Sequence, residues 1–372
     1  MTQPEPISED SVDIPVLEGL FRAYKTRHLA TETWDGSLSL IVGVARRLKV
    51  DPFASRAGRL LSWVIISLSL LAPAVLLTSL TGTWASAMPL AWVAVALIWS
   101  AFTVFFLGAA RRASEEMLSL HGALATERGY RDLIAWDRRW FSYPVVAAIA
   151  VGFAILATAV LLVIQSLTGA PPLHIGTLAV GAGLFYAMGS VVASDLLLTA
   201  EYPLLSNQTY RLFRPNPAQT LAIRRALRGY NQRNGLSSLF SAASILMFAI
   251  LLPPGSVVLG PLITALFGLA SISTAIIVVA PRQLMTTIVR KAKERELGPM
   301  QDRLNALWPR ALALSPAESD ELRKLEDIHA KLLGAPEDLL NVGRIVGRIG
   351  AALFLPALTT LISLTLQRSL FR

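Results

Sequence analysis

The stretch that decides the fold is YPVVAAIAVGFAILATAVLLVIQSLTGAPPLHIGTLAVGAGLFYAMGSVVASDLLL, Tyr143–Leu198. Two apolar runs, Tyr143–Leu167 and Leu173–Leu198, flank a short turn, Thr168–Pro172, that carries no charge. Crossing a bilayer takes about 20 consecutive apolar residues, and each run is long enough. Inside lipid the backbone must satisfy its own hydrogen bonds, so each run reads as a helix. Working outward, 60–80 pairs with 87–110 and 237–254 pairs with 256–280. A weaker apolar run follows at 349–367. The reading is all-α: a polytopic integral membrane helical bundle with six or seven transmembrane helices.

Composition agrees. Charged residues make up 16% of the chain and mean hydropathy is +0.54, whereas soluble domains carry about 25% charged residues. The absence of cysteine excludes disulfides, thiolate catalysis and cysteine metal sites. His28, His121, His174 and His329 are scattered without metal-ligand spacing. No G-x-x-x-x-G-K-[ST], G-x-S-x-G or H-E-x-x-H occurs, so neither an enzyme nor a cofactor is expected.

The basic residues orient the chain. Eight Lys/Arg precede the first run, six lie in 111–142, six in 199–236 and twelve in 281–348. The turns 81–86, 168–172 and 253–255 hold none. By the positive-inside rule the N-terminus and the long loops are cytoplasmic. The net charge of +9 then faces anionic headgroups, and nucleic acid is not an expected partner. A multi-pass protein of a bacterial cell membrane is the expected localisation. Six spans with long inner elbows and very short outer turns resemble, in topology alone, the membrane half of ATP-driven exporters.

Four regions follow. Residues 1–59 form a cytoplasmic tail, acidic at first, with interfacial amphipathic helices at Ile14–Leu29 and Leu38–Val50. Residues 60–280 form three membrane hairpins, 60–110, 143–198 and 237–280, joined by basic loops. The first loop, 111–142, balances six arginines with five carboxylates and reads as a solvated helical elbow. Residues 281–348 form a cytoplasmic helical hairpin, kinked at Gly298-Pro299, whose second helix starts at the capping box Ser315-Pro316-Ala317-Glu318. Residues 349–372 add a seventh or re-entrant segment and a short tail.

Three sets of residues are functional candidates. Small residues recur three or four apart at Gly176, Gly183, Ala187, Ser190 and Ser194, and again at Gly260, Thr264, Gly268 and Ser271. Such stripes let helix backbones approach, and the same small faces could line a water-filled path. On the packing reading the striped helices are the inner ones of the bundle or of an oligomer, and the second and third spans, rich in Leu, Val and Phe, face lipid. Asp195 is the one acid inside a predicted span: an interfacial salt-bridge partner for the arginine-rich helix, or a cation or proton site. Tyr202–Lys293 holds ten Lys/Arg and no carboxylate. From it Arg211, Arg214, Arg224, Arg225 and Arg228 are candidates for docking anionic lipid or an acidic cytoplasmic protein. Two functions are expected: a pore or transport-like component, oligomeric and controlled from its cytoplasmic face, or a non-conducting anchor for an acidic partner.

Overall fold

The computed structural model describes residues 14–32, 55–83, 88–169, 172–212, 217–251 and 259–334; the side chains of 259–278 are outside that description. Among the described residues the helices are α1 (Ile14–Glu32), α2 (Arg56–Thr81), α3 (Met88–Met117), α4 (Glu127–Trp140), α5 (Tyr143–Thr168), α6 (Ile175–Ser206), α7 (Leu221–Leu251), α8 (Leu259–Leu307) and α9 (Pro316–Gly334). The described residues are all-helical. One isolated antiparallel bridge, Leu124 with Tyr210, ties the α3–α4 elbow to the end of α6. The helix expected at Leu38–Val50, the reversal at Pro253-Pro254-Gly255 and the segment 349–367 lie outside the described residues.

Local signals set the helix ends. The Ser55 hydroxyl accepts from Gly58 N at 2.9 Å and caps α2. Gly82 and Gly169, at φ +64° and +63°, end α2 and α5 in the left-handed conformation that glycine adopts without steric cost. At α9 the capping box forms reciprocally: Glu318 Oε2 accepts from Ser315 N at 2.9 Å, and Ser315 Oγ accepts from Glu318 N at 3.3 Å.

Among the described residues five helices are long and apolar enough to cross a membrane: α2, α3, α5, α6 and α7. Helix α6 is central and packs on α2, α5, α7 and α8, while α3 packs on α2 and α7. Only 11% of α5's apolar stretch is buried, against 56% for α6 and 50% for α3. So α5 turns its surface outward as expected, and α3 does not. Trp92, Val95, Trp99, Phe106 and Leu107 of α3 are each 1% exposed. The rings of Trp99 and Phe106 sit 4.6 and 4.5 Å from that of Phe240 on α7. Lipid tails are as apolar as leucine, so hydrophobicity alone does not separate a lipid-facing helix from a packed one.

One further expectation changes. The arginine-rich helix of Arg224, Arg225 and Arg228 and the span 237–254 are one helix, α7, preceded by a 3-10 turn at Pro217–Gln219. Its buried face runs through Ile223, Ala226, Tyr230, Arg233, Ser237, Phe240, Ser244 and Phe248 at helical spacing. Helix α8 is continuous through Pro281 and Pro299, and the kink expected at Gly298-Pro299 falls within it. Helix α9 returns along it antiparallel: Lys293 Nζ donates to Leu333 O at 3.4 Å and Arg303 Nε to Glu321 Oε1 at 2.9 Å.

Helix α1 buries the face expected to be apolar, but against protein rather than in the interface plane. Leu17 and Tyr24 are 1% and 0% exposed, and the helix packs on α4, α3 and the 3-10 turn His121–Ala123. A second core forms there, with Leu120, Leu124, Tyr130, Leu133, Leu205, Ile223, Met285 and Val289. It gathers the basic ends of the long helices.

Helices α3 and α7 approach most closely at Gly229. A Cβ there would lie 2.4 Å from Met117 N and 2.6 Å from Ala113 O, both backbone atoms that cannot swing aside. Gly229→Ala should therefore cost about 1–3 kcal/mol by overpacking. Gly235→Ala, on the same helix with nothing within 4 Å, should gain about 0.5–1 kcal/mol from helix propensity. Paired thermal melts of the purified protein check both signs.

Candidate functional site

Two buried polar centres stand out, and both are built by residues far apart in sequence. The first joins α3, α6 and α7. Arg233 is 2% exposed, yet continues the buried face of α7. Its Nε lies 3.5 Å from Asp195 Oδ1, Nη1 donates to Ser114 Oγ at 2.9 Å, and Nη2 donates to Ser194 Oγ at 2.6 Å. Asp195 is 8% exposed. Asp195 thus meets an arginine of α7 within the bundle. One turn towards the start of α7, Arg228 Nε donates to Glu116 Oε2 at 2.7 Å. A buried charge is tolerable only when paired and hydrogen-bonded. Here the guanidinium meets one carboxylate and two hydroxyls, each small enough to let the helices close.

The second centre lies beneath α1. Tyr24, His28, His121 and Asp137 are 0% exposed and Glu201 is 1% exposed. Tyr24 Oη donates to Glu201 Oε1 at 3.1 Å. That uses the phenol's one hydrogen, so its 3.1 Å contact with His28 Nδ1 requires a proton on the imidazole nitrogen. The same Nδ1 faces Asp137 Oδ1 at 2.9 Å. Arg27 Nε approaches the other oxygen of Asp137 at 3.5 Å. His121 Nε2 lies 4.0 Å from Glu201 Oε1, and the two imidazole rings are 6.0 Å apart. Phe141 closes one side, edge-on to His28 at 5.3 Å. Four segments (α1, the 121–123 turn, α4 and the end of α6) thus share one network. Among the described residues no three His, Asp or Glu side chains converge as metal ligands.

Two tyrosines flank it. Tyr210 Oη donates to Leu205 O at 2.7 Å, and burial, with the nearby Glu201 charge, raises its phenol well above the usual value. Burial pushes Tyr130 up to about 12, partly opposed by the Arg211 charge.

The sequence-derived candidates divide. Trp92 covers Gly176, so a Cβ there would lie 2.2 Å from its Cη2; Leu70 covers Gly183, with Cδ2 at 2.6 Å. Trp92 Nε1 also donates to Thr177 Oγ1 at 3.1 Å. Ala187 is partly buried against the same core, and Ser190 and Ser194 are 1% and 2% exposed. The α6 stripe is therefore a packing face, filled by α2, α3 and α7. Gly260, Thr264, Gly268 and Ser271 fall on α8, and their side chains lie outside those described; so does Arg214. Arg211, Arg224 and Arg225 are exposed, while Arg228 is engaged by Glu116.

Sequence reasoning missed Arg233, Tyr24, His28, His121, Asp137 and Glu201 as a set. For Arg233 a signal existed, since it falls three residues after Tyr230 on the face set by Ile223. The α1 network has none, because its members come from positions 24 to 201. Comparison with protein-family models, curated proteins and solved structures finds no match to this chain.

Two outcomes follow. Asp195→Leu leaves the Arg233 guanidinium without a counter-charge and should destabilise by roughly 3–5 kcal/mol, whereas Asp195→Leu with Arg233→Met should recover most of that loss. Denaturation of the three proteins in one detergent measures it, and additive losses would mean that the pair is not coupled. Tyr130 is neutral in the fold, so its contribution is intact below the ordinary value of 10 and is lost as pH rises toward 12. Absorbance titration should show a late phenol ionisation that Tyr130→Phe removes.

Proposed function

We propose that this chain is a multi-pass membrane anchor that presents a basic helical face to an acidic cytoplasmic partner and does not itself conduct. The proposal includes a cytoplasmic N-terminus, further crossings by the first part of α8 and by 349–367, and a partner held through exposed Arg224, Arg225 and the α8–α9 hairpin. The observation that carries it is the filled stripe of α6. Trp92 and Leu70 of the same chain lie over Gly176 and Gly183, and Ser190 is 1% exposed. A long helix that leaves the bundle and doubles back as α9 adds exposed charged surface beyond the apolar layer.

One observation favours a second reading, an oligomeric pore or transport-like component controlled from the cytoplasmic side. Ionisable residues inside membrane proteins are rare and mark ion or proton routes more often than chance, and Arg233 with Asp195 is such a pair.

The two readings separate in liposomes. The anchor predicts that purified protein leaves an imposed ion or proton gradient to decay as in protein-free vesicles. It also predicts that Arg224→Glu with Arg225→Glu releases an acidic protein that co-purifies from gently extracted membranes. A gradient that collapses with wild-type protein and persists with Arg233→Met would overturn the anchor in favour of the transport reading.

A further inference from the structure

The elbow 111–142 is balanced in sequence and unbalanced in space. Of its five acids, Glu115 faces Arg111, Glu116 faces Arg228, Glu127 faces Arg131 and Asp137 is buried on His28. The fifth, Asp132, is half-buried. Arg138 and Arg139 are exposed and make no ion pair among the described residues. They line an open groove of about 500 Å³ together with Arg131, Ile134 and Ala135. These positions share the outer side of α4, opposite the buried Tyr130, Leu133 and Asp137.

The helix that carries the groove ends at Trp140, three residues before the start of α5, of whose apolar stretch only 11% is buried. The Arg139 guanidinium lies 5.1 Å from the Trp140 ring, and Trp136 stacks near Trp140 at 5.7 Å. Exposed Tyr143 follows. Indole and phenol rings settle at headgroup level, and arginines beside them meet anionic lipid.

We propose that the α4 groove is a headgroup site for an anionic phospholipid, with Arg138 and Arg139 on the phosphate and Ile134 and Ala135 beneath the glycerol. Charge selects the phosphate, because Glu127 occupies Arg131 while Arg138 and Arg139 meet no carboxylate among the described residues. The adjoining bare surface of α5 selects a lipid over a soluble anion, since the acyl chains can lie along it. The site depends on α5 lying in lipid and is independent of whether the chain conducts or anchors.

The test uses the full chain in neutral detergent, titrated with phosphatidylglycerol or phosphatidylcholine and read by native mass spectrometry. Wild type should retain phosphatidylglycerol preferentially. Arg138→Gln and Arg139→Gln should each weaken that retention roughly fivefold, as expected for an arginine near an anionic surface, and leave phosphatidylcholine unchanged. Arg224→Gln with Arg225→Gln should leave the preference intact. Equal retention of both lipids by wild type would overturn the site. So would full displacement of phosphatidylglycerol by inorganic phosphate, which would make it a free-anion site. A loss as large for Arg224→Gln with Arg225→Gln as for the groove variants would also overturn it, by assigning the effect to overall charge.

Discussion

One guanidinium holds three helices in register. Arg233 reaches Asp195 and Ser194 on α6 and Ser114 on α3 from a position on α7 that is almost wholly buried. Stripping water from such a group costs several kcal/mol, and only a complete set of acceptors offsets it. The demand for completeness fixes geometry. If α7 rotates, the guanidinium loses its hydroxyls; if α3 withdraws, Ser114 goes with it. Gly229 makes the arrangement feasible, since only a glycine lets the α7 backbone touch that of α3 at Ala113 and Met117.

The two cores on either side obey different physics. Among apolar helices in lipid, burial gains no hydrophobic free energy, so packing density and small residues decide who neighbours whom. That core is accordingly built of interlocked rings and glycines: Trp92 over Gly176, Phe248 against Gly181, and Phe240 between Trp99 and Phe106. The other core is formed by α1, α4 and the ends of α6, α7 and α8, where ordinary hydrophobic burial applies at roughly 25 cal/mol per Å². It encloses the Tyr24–His28–Asp137–Glu201 network, whose donors and acceptors would each be costly if left unmet. Helix α1 is thus attached by shape and by polar matching at once.

Legibility in the sequence followed the range of the signal. The helical class, the hairpin Tyr143–Leu198 and the cap at Ser315 depend on neighbours within one helix or turn, and all were readable. Which spans face lipid was not, because Trp99 and Phe106 look the same to a hydropathy scale whether they meet Phe240 or an acyl chain. The apolar run at 237–254 starts later than α7 because Arg233 interrupts hydropathy, although its spacing from Ile223 and Tyr230 puts it on the buried face. The α1 network was unreadable because residues 24, 28, 121, 137 and 201 meet only in the fold. The small stripe of α6 is legible as a spacing of three or four residues, and only the structure says what fills it.

The central claim is that the interior between α3, α6 and α7 is packed shut around Arg233. The chain contains no cysteine, so a single introduced thiol reports without background. Ser190 is 1% exposed and lies one turn from Ser194 on the packed face of α6. The measurement is labelling of Ser190→Cys in intact and inverted membranes by a membrane-impermeant thiol reagent, with Ser319→Cys on exposed α9 as the reference. The account predicts no labelling of Ser190→Cys from either side while Ser319→Cys reacts. Labelling of Ser190→Cys at the rate of Ser319→Cys would contradict it and open a water path through the bundle.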